Sequence, residues 1–270
     1  PVQHINLQAK VNNPDGVTDH TEVNIPRAHI EFGTDPFDFS LLLRKPVTDQ
    51  YIEASAKGKL DLAGVSKFVK LDPGTRLGGV VNADLNASGN LAVVTQQKPG
   101  NFSAKGFLDI QNLLYGSSDF PQPVQHTSAR INIENPDGIA DHTVVDIPRA
   151  HVEVGNDAAD LTLKLSTPAS DPDFSGTING TLNLANVQQF YAFEAGTHLE
   201  GILKAAMSFA GRKSMIDKEN YDALKLDGTL TGNNIRYASR DYPDGVALKN
   251  VELGFAPKVV SLRSLNGTYQ

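Results

Sequence analysis

The chain has 270 residues with 24 basic and 31 acidic side chains, a net charge of −7, and 40% apolar residues. That composition can build a core, excludes the low-hydrophobicity, high-charge signature of disorder, and excludes a broad phosphate-backbone binder, so no nucleic-acid partner is expected. Cysteine is absent, which removes disulfides, thiolate metal sites and cysteine nucleophiles together, and no apolar run approaches the roughly 18 residues that a spanning helix needs.

Taken from the N-terminus, Pro1-Val2-Gln3-His4 leads to a turn at Asn13-Pro14-Asp15-Gly16, where Pro presets φ and Gly accepts φ > 0. Ile25-Pro26-Arg27-Ala28-His29 follows. Ile52, Ala54, Ala56, Gly58, Leu60 and Leu62 then alternate with Glu53, Ser55, Lys57, Lys59 and Asp61, the period of a strand with one apolar face. Leu62, Val65, Phe68 and Val69 have helical spacing, and Asp72-Pro73-Gly74-Thr75 marks a turn. Phe102, Ala104, Gly106, Leu108 and Ile110 form another alternating run.

At Pro123-Val124-Gln125-His126 the text starts again. Asn13-Pro14-Asp15-Gly16 recurs as Asn135-Pro136-Asp137-Gly138, and Ile25 to His29 recurs as Ile147 to His151, 122 residues later in each case. At that offset 37 of the first 90 positions are identical. The second copy carries alternating runs at Leu161 to Leu165, Leu203 to Phe209 and Leu224 to Leu230, and its helical segment at Leu184, Val187, Phe190 and Tyr191. A further polar helix fits Ser214 to Tyr221, and Pro243-Asp244-Gly245 is another turn near the start of a third copy. The sequence predicts unit 1 at 1–120, unit 2 at 121–242 and a truncated third unit at 243–270, joined without linkers into one continuous structure. Each unit reads as six or seven antiparallel strands and one short helix. Pro at position 1 and the stop inside a unit suggest a piece of a longer chain.

The fold class expected is mainly β: a long, curled antiparallel sheet, a groove or open barrel-like trough. Two short helices cannot cover some fifteen strands, so a one-sided sheet must close on itself or leave its apolar face to a ligand. Small inward residues (Ala54, Ala56, Gly58, Ala83, Ala87, Ala104, Gly106, Ala205) suit either close sheet packing or room for something else.

The segments Gly176-Thr177-Ile178-Asn179-Gly180-Thr181-Leu182-Asn183-Leu184, Glu194 to Gly201, Lys204 to Gly211, Arg240 to Val246 and Leu265-Asn266-Gly267-Thr268-Tyr269 resemble the AsmA-like family of bacterial envelope proteins. The resemblance covers essentially the whole chain, but its motifs specify a fold and not a chemistry. It implies a periplasmic β-rich region, similar to repeating-β-groove, bridge-like lipid transfer proteins. The parent would be anchored in the inner membrane by an N-terminal helix missing here and would act in outer-membrane biogenesis. The partners implied are lipid or acyl chains, and the family has no catalytic residues to carry over.

On this reading the groove lining is Ile52, Leu60, Leu62, Leu108, Ile110, Leu182, Leu184, Leu203, Met207, Leu226 and Leu230. An acyl chain of about sixteen carbons needs apolar cover worth about 12 kcal/mol, which only a continuous face across successive units supplies. The alternative is a structural or adhesive tandem β-sandwich with a boundary near Phe120 and no ligand groove. No enzyme is expected, because no GxSxG, HExxH, P-loop or GxGxxG pattern occurs. No cofactor or metal is expected either. His4, His20 and His29 with their copies His126, His142 and His151 lack ligand spacing, and Asn13, Asp15 and Asp19 read as an Asx-type turn in preference to a calcium loop. Asp35 and Asp38 show no evident partner in the sequence.

Overall fold

Half-apolar alternation, broken by turn residues, produces fourteen strands in a computed structural model that describes residues 2–67, 70–72, 74–96, 100–117, 120–187, 194, 196–240, 243–256 and 259–269. In chain order they are β1 (Val2–Asn12), β2 (Glu22–Phe32), β3 (Asp35–Arg44), β4 (Tyr51–Asp61), β5 (Arg76–Asn90), β6 (Phe102–Ser117) and β7 (Phe120–Asn135). They continue with β8 (Val144–Val154), β9 (Asp157–Ser166), β10 (Asp173–Asn183), β11 (His198–Arg212), β12 (Lys225–Ala238), β13 (Val246–Ala256) and β14 (Val259–Tyr269). Every strand pairs antiparallel with the one before it, giving one 14-stranded sheet in strict sequence order. β1 and β14 each have a single neighbour, so the sheet is not closed into a barrel. At about 4.8 Å per strand, it is about 62 Å across.

The strand bounds keep the period of the sequence. β2, β3, β4 and β5 reappear 122 residues later as β8, β9, β10 and β11. The hairpins repeat in atomic detail. Asn13 Oδ1 accepts the Gly16 N–H at 2.7 Å while its amide donates to Val17 O and Thr21 Oγ1. Asn135 does the same with Gly138, Ile139 and Thr143. Gly16 and Gly138 sit at φ +78° and +84°, a region costly for any residue with a Cβ.

Strands can outrun their alternating stretch: β6 runs 16 residues where the pattern reads only Phe102 to Ile110. The cause is a bulge. The register shifts between Ile110 and Leu113, with Asn112 at φ +49°. An extra residue reverses the phase of the alternation, so the strand continues where the period ends.

The helices are short and sit at strand ends. A 3₁₀ helix spans Leu62–Lys67 and an α-helix Leu184–Val187; Phe68, Val69, Phe190 and Tyr191 lie outside the described residues. Lys213–Asp217 and Tyr221–Ala223 supply the polar helical segment expected at 214–221. Its counterpart in the first unit, Leu91–Gln96, is missed by the expectation of one helix per unit, because six residues are too few to show a helical period.

Among the described residues the helices stay at the strand ends, where Met215 of Lys213–Asp217 reaches Gly211 at the end of the apolar face, and one sheet, not a pair of sandwiches, holds all fourteen strands, with β6 and β7 paired across the boundary near Phe120. Among the described residues the buried apolar ones are Ala28, Ala150 and Leu184, and no large side chain is fully buried. A compact chain of this mass exposes about 11,400 Å²; this one exposes 16585 Å². Most apolar side chains are half-buried, shielded by their neighbours in the same layer and not by a second one.

Candidate functional site

Residues directly opposite in a ladder point to the same side of the sheet, so the registers trace the two faces. One row runs through eleven strands from β4 to β14: Leu60, Val81, Ile110, Ala129, Ala150, Leu161, Ile178, Met207, Gly228, Phe255 and Val260. A parallel row runs from β1 to β11 through Leu7, Ala28, Phe39, Ala56, Leu85, Gly106, Ile133, Val145, Leu165, Phe174 and Gly211. No polar residue interrupts either row. Within the second unit's half, Phe174 and Phe209 meet on this face with ring centroids 6.2 Å apart.

Nine of the eleven candidate lining residues share this face. Ile52 and Leu60 lie on β4, Leu108 and Ile110 on β6, Leu182 on β10, Leu203 and Met207 on β11, and Leu226 and Leu230 on β12. The registers Leu182↔Leu203 and Ala205↔Leu230 bring the second-unit members side by side. Leu62 and Leu184 stand apart. Each opens a short helix at a strand end, and Leu184 is buried against protein. The small residues Ala54, Ala87 and Ala104 line up in one row, with Ala56 beside it, leaving a shallow depression of about 280 Å³ that also touches Leu85 and Ile133. Sequence reading missed Val81, Leu85, Ile133, Val145 and Phe174; their rows depend on registers between strands, which no local period reveals.

The opposite face is polar and internally paired. Lys57 meets Asp84 at 3.1 Å, and the Arg130 guanidinium lies 3.3 Å over the Phe107 ring. Ser40 and Ser55 hydrogen-bond at 2.7 Å, and Thr162 and Thr177 at 2.9 Å. Larger hollows, about 550 and 720 Å³, open among polar residues such as Arg149, His151, Asp160, Asn132 and Asp146.

Each duplicated histidine meets a carboxylate. His29 Nδ1 lies 2.9 Å from Asp38 and His151 Nδ1 2.8 Å from Asp160; His20 pairs with Asp15, His142 with Asp137, His4 with Glu31 and His126 with Glu153. The Asp38 hydrogen bond chiefly holds the His29 pKa above its ordinary value, and the His4 hydrogen bond holds Glu31 below its own. Among the described residues no three such groups converge as a metal site would require. The turn oxygens are engaged as well. Asp15 accepts the Val17 N–H, and Asp19 reaches the next hairpin to accept the Val47 and Thr48 N–H groups and the Thr48 hydroxyl. These Thr48 hydrogen bonds lower the Asp19 pKa. Asp141 repeats the contact with Ala169 and Ser170.

Asp35 and Asp38 both have partners: Asp38 has His29, and buried Asp35 accepts the Asp61 N–H at 2.8 Å. The Asp35 partner lies 26 residues away on β4, beyond the reach of local sequence reading. Asp157 accepts the Asn183 N–H and the Asn186 amide in the same way. These carboxylates tie strand ends together, and their hydrogen bonds are structural.

Against this geometry, no family model, curated protein or solved structure matches the chain.

Proposed function

We propose that this chain binds lipid, with acyl chains lying along the apolar face of the sheet. It would act as a segment of a periplasmic, membrane-tethered β-groove protein in outer-membrane biogenesis, as its resemblance to AsmA-like proteins implies. The observation that carries the reading is the pair of apolar rows crossing eleven strands each, with no second sheet above them among the described residues. Apolar area left in water costs about 25 cal/mol per Å², and monomeric proteins rarely tolerate a contiguous exposed patch beyond a few hundred Å² without a use for it. The polar face, by contrast, already satisfies its own groups. No residue acts chemically in this reading; side chains supply apolar cover and the sheet supplies continuity.

The test is native mass spectrometry of the full chain after incubation with phosphatidylethanolamine vesicles. Lipid-bound species that disappear in Leu60→Asp and persist in Lys59→Asp support the reading. A lipid-free spectrum, or equal retention by both variants, refutes it.

A further inference from the structure

The polar face carries one group of side chains twice. Arg27, His29 and Asp38 recur 122 residues later as Arg149, His151 and Asp160, and Ser40 and Ser55 recur as Thr162 and Thr177. Only 37 of the first 90 positions are identical at that offset, and on the opposite face Phe37, Phe39 and Ala56 have become Ala159, Leu161 and Ile178. The contacts recur with the residues. His29 Nδ1 lies 2.9 Å from Asp38 and His151 Nδ1 2.8 Å from Asp160. The Ser40 and Ser55 hydroxyls hydrogen-bond at 2.7 Å, those of Thr162 and Thr177 at 2.9 Å. In both copies a Pro-Arg pair sits at a register shift, between Ile25 and Ala28 and between Ile147 and Ala150, and such a bulge re-aims the arginine. A hollow of about 550 Å³ opens at the second copy, where Arg149, His151, Asp160, Thr162, Thr177 and Asn179 contribute to its lining. One of about 360 Å³ opens at the first, lined by Asn6, Gln8, Arg27 and His29.

These groups answer one another and still have capacity. The Arg149 side chain is 80% exposed and reaches Asp109 only at 3.8 Å, an ion-pair distance too long for a hydrogen bond, so its N–H donors are left for a ligand in the hollow it lines. Asp160 gives one oxygen to His151, and a carboxylate accepts several hydrogen bonds. Thr162 and Thr177 share one hydroxyl–hydroxyl bond, and Thr162 also accepts the Thr177 N–H, which leaves the pair one O–H to donate. Charge is matched inside the hollow as well: Arg149 stands beside Asp109, and Asp160 beside His151. A free anion entering it would meet two carboxylates, and a cation would meet a guanidinium. The set suits a neutral molecule with hydroxyls on neighbouring atoms, which donate to a carboxylate and accept from a guanidinium.

We propose that the two hollows are paired binding sites for a neutral oligosaccharide. In the second, Arg149 donates to sugar oxygens, Asp160 accepts from sugar hydroxyls, and Thr162, Thr177 and Asn179 complete the contacts. In the first, Arg27 and Asp38 take the corresponding parts. The sites lie on the face opposite the lipid rows and do not rest on the lipid reading. The first is the weaker of the two: its hollow is smaller, and Lys57, which stands where the second copy has Asn179, is held by Asp84 at 3.1 Å. β2 and β8 are six strands apart, about 29 Å along the sheet. A long linear glycan laid across the strands reaches both sites, and the second contact then forms at high effective concentration.

The experiment is an amide NMR titration of the full chain with maltotriose and, separately, with chitotriose. The account expects saturable shifts at the amides around Arg149 and His151, and at those around Arg27 and His29 with lower affinity. Arg149→Ala should weaken the second site about tenfold, the worth of one charge-assisted hydrogen bond, and leave the first site unchanged. Arg27→Ala should do the converse. In each variant the untouched site reports that the sheet is still folded. No saturable shift with either sugar overturns the proposal, and so do shifts that both variants leave as they were. Inorganic phosphate that binds at these residues more tightly than either sugar also overturns it, and gives the hollows to an anion.

Discussion

Lys59 and Leu60 are neighbours on β4 and stand on opposite sides of one sheet. On the Lys59 side, side chains answer one another: Lys57 with Asp84, Ser40 with Ser55, His29 with Asp38. On the Leu60 side the rows contain no polar side chain, and among the described residues no second sheet lies over them. The same backbone thus carries one face that is complete in water and one that is complete only in contact with something apolar. Polar groups can be satisfied within a single layer because hydrogen bonds and ion pairs run sideways along the sheet. Apolar groups are shielded only partly by sideways contact, since the outward half of each side chain stays wet. A single-layer sheet therefore solves its polar face alone and leaves its apolar face partly wet.

That contrast can be broken most sharply with a charge. Leu60→Asp places a carboxylate in the row that runs from β4 to β14 and should reduce lipid retention by about tenfold or more, because an unpaired charge is costly against an acyl chain; Lys59→Asp should leave retention unchanged. Native mass spectra of both variants make the comparison, and equal behaviour would mean that the faces are wrongly assigned.

A second test concerns stability. Gly228 interrupts the same row at φ +130°, and an added Cβ would press on the Ala206 carbonyl oxygen and Met207. Gly228→Val should lower unfolding free energy by about 1–3 kcal/mol, read as a lower urea midpoint, so the gap in the row is demanded by the backbone and not by the ligand. A smaller effect is expected from Asp157→Ala, which leaves the Asn183 N–H and the Asn186 amide unanswered; the loss should be about 1–2 kcal/mol. Asp157→Asn should recover part of it, since an amide oxygen still accepts.

The smallest effects belong to the polar face and to pH. His29 has a raised pKa, chiefly from Asp38, so the folded state favours the protonated ring. Its contribution is complete below its ordinary value of 6.5 and is lost as pH rises through the higher folded value. His29→Gln should flatten that part of the stability–pH curve. Asp19 and Asp141 have lowered pKa values, so their contribution holds above 3.8 and is lost as pH falls through the folded values. In Asp19→Asn with Asp141→Asn, the loss of stability in strong acid should be shallower. A curve unchanged by either set of variants would show that these contacts add nothing to folding.

Much of the fold is legible in the residues because its rules are local. Alternation at Ile52 to Leu62 and Leu203 to Phe209 marks strands, Asn-Pro-Asp-Gly marks hairpins, and the 122-residue offset places the strands of one half by those of the other. The apolar face is also legible strand by strand, so nine of the eleven candidate residues fall on it together. What escapes the sequence is whatever depends on register or on a second partner. Bulges at Gln111-Asn112 and Pro148-Arg149 reverse the phase of the alternation, hiding the full length of β6 and the place of Val145 in its row. Leu62 and Leu184 continue the apparent period of β4 and β10, yet turn into helices where Asp35 and Asp157 capture the strand ends. Whether the sheet is open or closed is likewise not legible strand by strand: the half-buried state of each strand is the same in sequence whether protein, lipid or water lies above it.

The central claim is that the two faces meet different environments, and crosslinking from adjacent positions of β11 tests it most directly. A photoreactive p-benzoylphenylalanine is placed at Leu203 or at Lys204 in the full chain, which is then irradiated with phosphatidylethanolamine vesicles. The account predicts a lipid adduct from position 203 and none from 204. Adducts of equal yield from both, or from 204 alone, would contradict it.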